Sequence, residues 1–216
     1  MLGFVAVAAL QDGLEGQSPL LLLALRVAAP LALFVFFLLR GSYPELHGYR
    51  ANGAGVLSDV AVGLGAAVVW IAPYLFWEGL RPGEGAAFNP DAAGPSVRGA
   101  MLGLRLFGFA AVTPFIEELL VRSYLWRIAE VYDDPNKNAT DVPIGRFVWR
   151  SFLFTLVWFT LTHAQWEWPV AAAVGVIYNL WLVRRKHIGG VILAHAVTNA
   201  ALFLFVVLQN DYWFFL

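Results

Sequence analysis

Residues 113–127 read TPFIEELLVRSYLWR: two adjacent glutamates lie in an apolar run, with an arginine four positions after the second. The whole chain has the same apolar character, since 60% of its 216 residues are hydrophobic and 13% are charged. The hydrophobic residues form blocks of about 20 separated by short polar stretches, which is typical of an integral membrane protein. The pattern therefore predicts a membrane protein and not a soluble globular domain.

Six windows of the sequence are long enough to cross the hydrocarbon core of a bilayer, and each predicts an α-helix. The third window continues as an amphipathic stretch to about Glu130. No linker is large enough to form a second domain, and no internal repeat is evident. We therefore predict an all-α, polytopic membrane protein with one domain, residues 1–216, and about six transmembrane helices around a polar cavity. The predicted helices cover residues 19–39, 56–77, 98–121, 147–165, 169–183 and 189–209.

The charge balance and the lack of cysteine exclude several other classes of protein. A net charge of −1 provides no basic surface, so no nucleic-acid partner is expected. The absence of cysteine excludes disulfides, thiolate metal ligands and a cysteine nucleophile. The first ten residues, MLGFVAVAAL, lack a basic n-region. We interpret them as a short interfacial segment or the remnant of a helix, and not as a cleavable signal peptide.

Basic residues are concentrated on alternate loops. The opposite loops contain only Arg81 and Arg98, so the positive-inside rule predicts an outside N-terminus, cytoplasmic odd-numbered loops and a cavity nearer the basic face. Arg26 and Arg105 fall within predicted helices, where snorkelling towards the helix ends is the simpler interpretation. Ten of the fourteen basic residues lie on the odd-numbered loops: Arg40, Arg50, Arg122, Arg127, Lys137, Arg146, Arg150, Arg184, Arg185 and Lys186.

Three of the predicted helices carry ionisable side chains to a similar depth. With a rise of about 1.5 Å per residue, Glu117 lies about 15 Å from the basic edge of its helix, His195 about 14 Å and His163 about 20 Å. An ionisable residue at this depth costs several kcal/mol unless it is paired or hydrated. Three such residues at one level therefore predict a polar cavity.

Helical geometry separates the two adjacent glutamates. Residues four apart share one face of a helix, whereas neighbours point about 100° apart. Glu118 can therefore pair with Arg122, and we interpret these two residues as a buried structural ion pair. Glu117 has no local partner, which makes it a candidate general base, although a structural role is about equally compatible with its position.

Two further pairs have the spacing of one helical turn: Phe159 with His163, and His195 with Asn199. A single histidine or asparagine in an apolar helix is more often a structural residue. Together with Glu117, however, these side chains supply a base, a second group to orient water and two donors for a developing oxyanion. Hydrolysis of an amide bond needs this set of groups.

Three segments resemble the motifs of the CAAX-protease and bacteriocin-processing (CPBP) family of intramembrane endopeptidases. EELLVR at 117–122 matches Glu-Glu-x-x-x-Arg, FTLTH at 159–163 matches Phe-x-x-x-His, and HAVTN at 195–199 matches His-x-x-x-Asn. The resemblance spans about residues 98–209. The SYPEL and AVGVIYNLWLVRRK segments are similar to the subgroup associated with bacterial exosortase systems. The chain departs from the better-known CAAX endopeptidases in having fewer predicted helices.

The resemblance implies a catalytic role for four residues and structural support from three others. Glu117 and His163 would activate the attacking water, His195 and Asn199 would stabilise the oxyanion, and the supporting residues would be Glu118, Arg122 and Phe159. The resemblance also implies a multi-pass protein of the bacterial inner membrane, in contact with the lipid bilayer. Its substrate would be a membrane-associated peptide or protein, and exosortase-system proteins are candidate partners.

Metal dependence and two other functions remain open. A divalent metal such as zinc is compatible with the sequence but not required: Glu117, His163 and His195 would form a His₂Glu set, but the chain has no HExxH motif. A catalytically silent membrane scaffold or immunity-type protein would retain the same residues. A small proton-coupled transporter would use Glu117 and His163 as a relay, although the sequence lacks the inverted repeat of many transporters.

Overall fold

The computed structural model describes residues 18–49, 51–82, 88–210 and 212–215, and these residues contain helices and no strand. The all-α prediction is confirmed, and each of the six predicted ranges contains one helix, although the fourth helix ends four residues before its predicted end. The third helix extends to Val131, close to the predicted end of its amphipathic stretch. The helices are α1 Pro19–Leu39, α2 Gly53–Phe76, α3 Pro95–Val131, α4 Trp149–Leu161, α5 Trp168–Arg185 and α6 Ile188–Gln209.

Four of these helices, α1, α2, α3 and α6, are long and apolar enough to cross a membrane. The other two are shorter and form a hairpin. Helix α4 has 13 residues, which at about 1.5 Å per residue span roughly 20 Å, less than the thickness of a hydrocarbon core. A short 3₁₀ helix, Gln165–Glu167, joins it to α5. The turn of the hairpin therefore brings irregular backbone close to the cavity described below.

Helices α2 and α6 pack closely at the centre of the molecule, because Gly63 has no side chain at their crossing. A Cβ atom on Gly63 would lie 2.4 Å from the carbonyl oxygen of Ala194. The Thr198 hydroxyl donates to the Gly63 carbonyl at 2.8 Å, and the Tyr178 hydroxyl of α5 donates to Thr198 at 2.8 Å. Small residues and interhelical hydrogen bonds are the usual means by which membrane helices associate.

A two-residue turn joins α5 to α6. Lys186 adopts the left-handed conformation, with φ 51°, and ends α5, while the side chain of His187 accepts a hydrogen bond from Gly189 N–H at the start of α6. The turn fixes α5 and α6 as antiparallel neighbours.

The loops that were predicted to share a basic face are in contact. Glu45 of the first loop pairs with Arg127 near the end of α3 at 3.0 Å. Asp59, fully buried near the start of α2, pairs with Arg185 at the end of α5 at 2.9 Å. Arg50, a basic residue of the first loop, lies outside the described residues. The first ten residues, for which we predict an interfacial segment or the remnant of a helix, also lie outside them.

The opposite face is formed by the linker between α2 and α3, the α4–α5 turn and the C-terminal residues. Arg81 donates to the carbonyl of Tyr74 at 3.0 Å, and the Tyr74 hydroxyl donates to the carbonyl of Trp166 at 3.1 Å. Arg98 forms an ion pair with Asp91. We refer to these two ends of the molecule as the basic face and the opposite face.

Candidate functional site

A cavity of about 500 Å³ lies between the helices, and residues from all six helices line it. The four predicted catalytic side chains are all on its wall: Glu117 from α3, His163 from the α4–α5 turn, and His195 and Asn199 from α6. Phe159 of α4 also lines it. The structure therefore brings the predicted set together around one space.

The cavity does not lie nearer the basic face, and this part of the prediction is wrong. The α1 residues that line it begin at Leu23, near the start of that helix, and the α2 contribution is Trp70, near its end. Phe214 closes it from the C-terminal segment. These three residues belong to the half of the molecule towards the opposite face. The cavity thus extends from the level of His195 away from the basic face.

Helix α3 is irregular on both sides of the two glutamates. It adopts a π-helical conformation over Phe107–Val112 and again over Leu119–Leu125. Pro114 explains the first of these segments, because proline has no N–H and clashes with the preceding turn of a regular helix. Short π-helical segments occur frequently at functional sites.

Asn199 compensates for the missing donor of Pro114. In the π-helical pattern the N–H of Thr113 bonds to the carbonyl of Gly108, so the next carbonyl, that of Phe109, would pair with residue 114. The Asn199 side-chain amide donates to that carbonyl at 2.7 Å instead. Asn199 therefore makes an interhelical hydrogen bond and retains one N–H and its oxygen for the cavity.

The adjacent glutamates occupy different environments, as their spacing predicts. The side chain of Glu118 is fully buried, and its Oε1 atom pairs with Arg122 Nη1 at 3.0 Å. The side chain of Glu117 is 38% exposed and faces the cavity. The predicted Glu118–Arg122 contact is present.

Glu118 has a second partner that the sequence did not indicate. His195 Nδ1 donates to Glu118 Oε1 at 2.7 Å. Because a carboxylate oxygen can only accept, this bond fixes the proton of a neutral His195 on Nδ1 and directs Nε2 elsewhere. His195 Nε2 lies 3.9 Å from Glu117 Oε2. The imidazole of His195 thus lies between the buried carboxylate and the exposed one.

Arg122 is held by two further contacts. Its Nε atom donates to the side-chain oxygen of Asn179 on α5 at 3.2 Å, and its guanidinium carbon lies 4.2 Å from the centre of the Phe159 ring. Asn179 in turn donates to the carbonyl of Phe152 at 3.1 Å. Sequence reasoning missed Asn179, although an amide inside an apolar helix is the same kind of signal that identified Asn199.

His163 lies in the turn after α4, and not within a helix as the predicted range 147–165 would have it. Its Nδ1 atom donates to the carbonyl of Phe159 at 2.7 Å, which leaves Nε2 without the proton in the neutral ring. The ring centres of Phe159 and Trp70 lie 4.6 Å and 5.3 Å from that of His163. These contacts orient the imidazole at the cavity wall.

Glu167, which the sequence analysis did not single out, is a further carboxylate on this wall. Its Oε2 atom accepts the N–H of Ala164 at 3.0 Å, which closes the α4–α5 turn directly after His163. Burial raises the pKa of the Glu167 carboxyl, the charge of His163 opposes this increase, and the charge of Glu117 adds to it. Its position four residues after His163 is the feature of the sequence that could have identified Glu167 as a candidate site residue.

Arg26 and Arg105 also line the cavity. The guanidinium carbon of Arg105 lies 5.5 Å from the ring centre of Phe88 and 5.7 Å from that of Phe109. Phe88 belongs to the linker at the opposite face, so Arg105 extends in the direction that snorkelling would give. Both cations are nevertheless part of the wall that also contains Glu117.

Binding of a zinc ion by Glu117, His163 and His195 stays a prediction. Among the residues that the structure describes, no group of three or more His, Asp or Glu side chains is placed so that it could hold a metal ion. His195 Nδ1 is engaged with Glu118, so only Nε2 faces the cavity.

Comparison with protein families gives a match to one model, described as type II CAAX prenyl endopeptidase Rce1-like, over residues 99–201. The match covers all three motifs and is consistent with the resemblance to the CPBP family. The exosortase-associated subgroup stays a prediction. No significant match was found among curated proteins or among solved structures. The family supports intramembrane proteolysis as the general activity. Residues 99–201 of this chain are thus similar to the Rce1-like domain of type II CAAX prenyl endopeptidases.

Proposed function

We propose that this protein is an intramembrane endopeptidase that hydrolyses a peptide bond in a membrane-associated substrate. The observation that carries the proposal is the grouping of Glu117, His163, His195 and Asn199 around one cavity, with His195 held by the buried Glu118. The family match at residues 99–201 supports the same activity. The bilayer and a membrane-associated peptide or protein are the partners that this function requires.

Glu117 is the proposed general base. Its side chain is more accessible than that of Glu118, and it borders a space large enough for a peptide segment. Water would add to the carbonyl carbon of the substrate and give one proton to Glu117. His163, whose Nε2 is an acceptor in the neutral ring, would orient that water. When the C–N bond breaks, Glu117 would return the proton to the departing amine.

The proposed oxyanion site comprises His195 and Asn199. Asn199 has one side-chain N–H that is not used by Phe109. His195 can donate from Nε2 once it carries a second proton, because Nδ1 is already bonded to Glu118. Donors of this kind act on the charge that develops on the carbonyl oxygen, in a site with few competing water molecules. Glu118 and Arg122 would position His195 from outside the cavity, and Phe159 would support Arg122 and His163 through ring contacts.

The test is made in the native membrane of a host that lacks the chromosomal copy. Wild-type chain or the Glu117→Gln variant is returned at equal abundance, and new peptide termini in the membrane fraction are mapped by mass spectrometry. We expect a set of termini that appears with wild type and is absent both without the chain and with Glu117→Gln. The same termini in the Glu117→Gln strain would contradict the proposal.

The same membranes separate the remaining alternatives. A substrate that is retained or lost without any change in length would favour the scaffold function.

Incubation of purified wild type with a zinc chelator tests whether the reaction depends on a metal. Unchanged cleavage argues for a glutamate-dependent reaction, whereas loss of cleavage that zinc restores argues for a metal held by Glu117, His163 and His195.

A further inference from the structure

The helix bundle is closed between the cavity and the basic face. Arg122 pairs with Glu118 at 3.0 Å and donates to Asn179 at 3.2 Å. Trp126 lies one turn nearer the basic face, and its indole N–H donates to the carbonyl of Arg146 at 3.0 Å. In the part of the chain that the structure describes, packed side chains of α3, α5 and α6 thus fill this half of the molecule. The completely buried ones include Arg122, Trp126, Asn179, Leu182, Ile188 and Val191.

Helix α4 does not extend along the other half of the bundle. It packs against residues 119–131 of α3 and ends at Leu161, after a rise of roughly 20 Å. A hydrocarbon core is about 30 Å thick, so a helix that begins at its basic boundary ends about 10 Å before the opposite boundary. The α4–α5 turn, residues 162–167, therefore lies within the depth of the membrane.

The α4–α5 turn is both a surface of the molecule and a wall of the cavity. Thr162 and Ala164 are exposed and also line the cavity, and the neighbouring Gln165 is exposed as well. Irregular backbone at membrane depth is tolerated where it is buried in protein or lines a water-filled space. Because this turn is exposed and polar, it indicates water at this position, and that water is continuous with the cavity.

We propose that the α4–α5 turn borders a portal through which water and a peptide segment reach Glu117 from the opposite face. The side chain of Glu117 is 38% exposed, which fits a cavity that is open to water at this end. The part of the inference that concerns a peptide rests on the proposed function.

The direction of the portal defines a class of substrate. The cleavage site of the membrane-associated peptide lies in the half of the bilayer that adjoins the opposite face, because the other half of the bundle is filled by packed side chains. By the positive-inside rule, the half that adjoins the opposite face is the outer one.

The portal is tested with single cysteines in the full chain, which has none of its own, and a small, charged, membrane-impermeant methanethiosulfonate. The exposed residues Asn138 and Ala92, changed to cysteine, mark the basic face and the opposite face. Thr113→Cys and Ile116→Cys are two independent reporters on the cavity wall of α3. Val68→Cys is the lipid-facing control, since Val68 is 65% exposed on α2. The reagent is added to intact cells and to inverted membrane vesicles.

We expect the two cavity reporters to react from the side from which Ala92→Cys reacts. Their reaction should be at least about tenfold faster than that of Val68→Cys, because the reagent attacks the thiolate, which an apolar environment disfavours. Reaction of the folded reporters only from the side of Asn138→Cys would overturn the inference. Reaction as slow as that of Val68→Cys from both sides would also overturn it, since access would then be through lipid.

The position of the cut provides a second test. The new peptide termini mapped in the native membrane should lie in the half of the substrate's membrane segment that adjoins the opposite face. Coupling of a bulky maleimide to Gln165→Cys should abolish cleavage, because the group stands at the portal. The same coupling to Ala92→Cys should leave cleavage unchanged, with each variant compared with its own unmodified sample.

The proposed function and the portal fail separately. Reaction of the cavity reporters from the opposite face, without cleavage by wild type, would contradict the proposed function alone. Cleavage with termini in the half towards the basic face, or cleavage that persists after modification of Gln165→Cys, would contradict the portal alone.

Discussion

At the scale of single residues, Glu118 determines how the site is arranged. Its Oε1 atom contacts Arg122 on its own helix and His195 on α6, at 3.0 Å and 2.7 Å. The carboxylate is completely buried, and two hydrogen bonds to cationic or polar groups are what make a buried charge tolerable. Glu118 therefore links the stability of the bundle to the orientation of His195.

We predict different results for the two adjacent glutamates. Glu118→Gln should lower the free energy of unfolding by about 3–5 kcal/mol, because it leaves Arg122 buried without its counter-charge, and it should also reduce cleavage through His195. Glu117→Gln should abolish cleavage with little change in thermal stability, since Glu117 is partly exposed. The measurements are melting in detergent and cleavage of a host substrate. Equal losses of stability in both variants would show that the roles are wrongly assigned.

Asn199 has two roles that can be separated experimentally. Asn199→Ala should destabilise the protein by about 1–3 kcal/mol, because the Phe109 carbonyl loses its donor. If Asn199 also stabilises the oxyanion, kcat should fall by about 10²–10³-fold with little change in KM. Adding Pro114→Ala supplies a backbone N–H in this region of α3 and should recover part of the stability.

The double variant distinguishes the two roles of Asn199. Recovery of stability without recovery of kcat is expected for an oxyanion donor. Recovery of both would leave Asn199 as a purely structural partner of the π-helical segment Phe107–Val112.

At the scale of elements, the crossing of α2 and α6 holds the site together, because α6 carries both His195 and Asn199. Gly63→Ala should destabilise the protein by about 1–3 kcal/mol, since its Cβ would lie 2.4 Å from a backbone oxygen and 2.8 Å from the Val197 side chain. Gly65→Ala is the matched control, because no atom lies within 4 Å of a Cβ at that position. It should be neutral or stabilising by up to about 1 kcal/mol. Equal melting temperatures for the two variants would contradict the tight crossing.

The α4–α5 hairpin is the element that the sequence described least well. A helix of 13 residues ends before His163, and the following turn is held by Glu167 and by the Phe159 carbonyl. Irregular backbone near the membrane interior is tolerated where it lines a cavity. His163 therefore lines the cavity from the α4–α5 turn, directly after the end of α4.

At the scale of the whole molecule, the basic face and the opposite face are the two ends of the helix bundle. The positive-inside rule predicts that the basic face is cytoplasmic. The chain has no cysteine, so single cysteines can be introduced without background. Asn138 lies in an exposed loop at the basic face and Ala92 in an exposed linker at the opposite face.

Labelling with a membrane-impermeant maleimide tests this orientation. We expect Ala92→Cys to react in intact cells and Asn138→Cys to react only after the membrane is permeabilised. The reverse pattern would show that the N-terminus is cytoplasmic, and the cavity would then extend towards the cytoplasm.

The sequence by itself determined the elements and the identity of the candidate residues. Apolar windows predicted the six helices, four of which are long and apolar enough to cross a membrane, because hydrophobicity and helical rise are local properties. The Glu118–Arg122 contact followed from the same local geometry, since residues four apart share a face. Only the tertiary structure decided which elements meet. It placed His195 against Glu118, and Asn199 against the Phe109 carbonyl, for which Pro114 has no N–H. It also placed the cavity in the half of the molecule away from the basic face. These contacts join residues far apart in the chain, and their formation depends on side-chain packing and on satisfying buried polar groups, which no local pattern encodes.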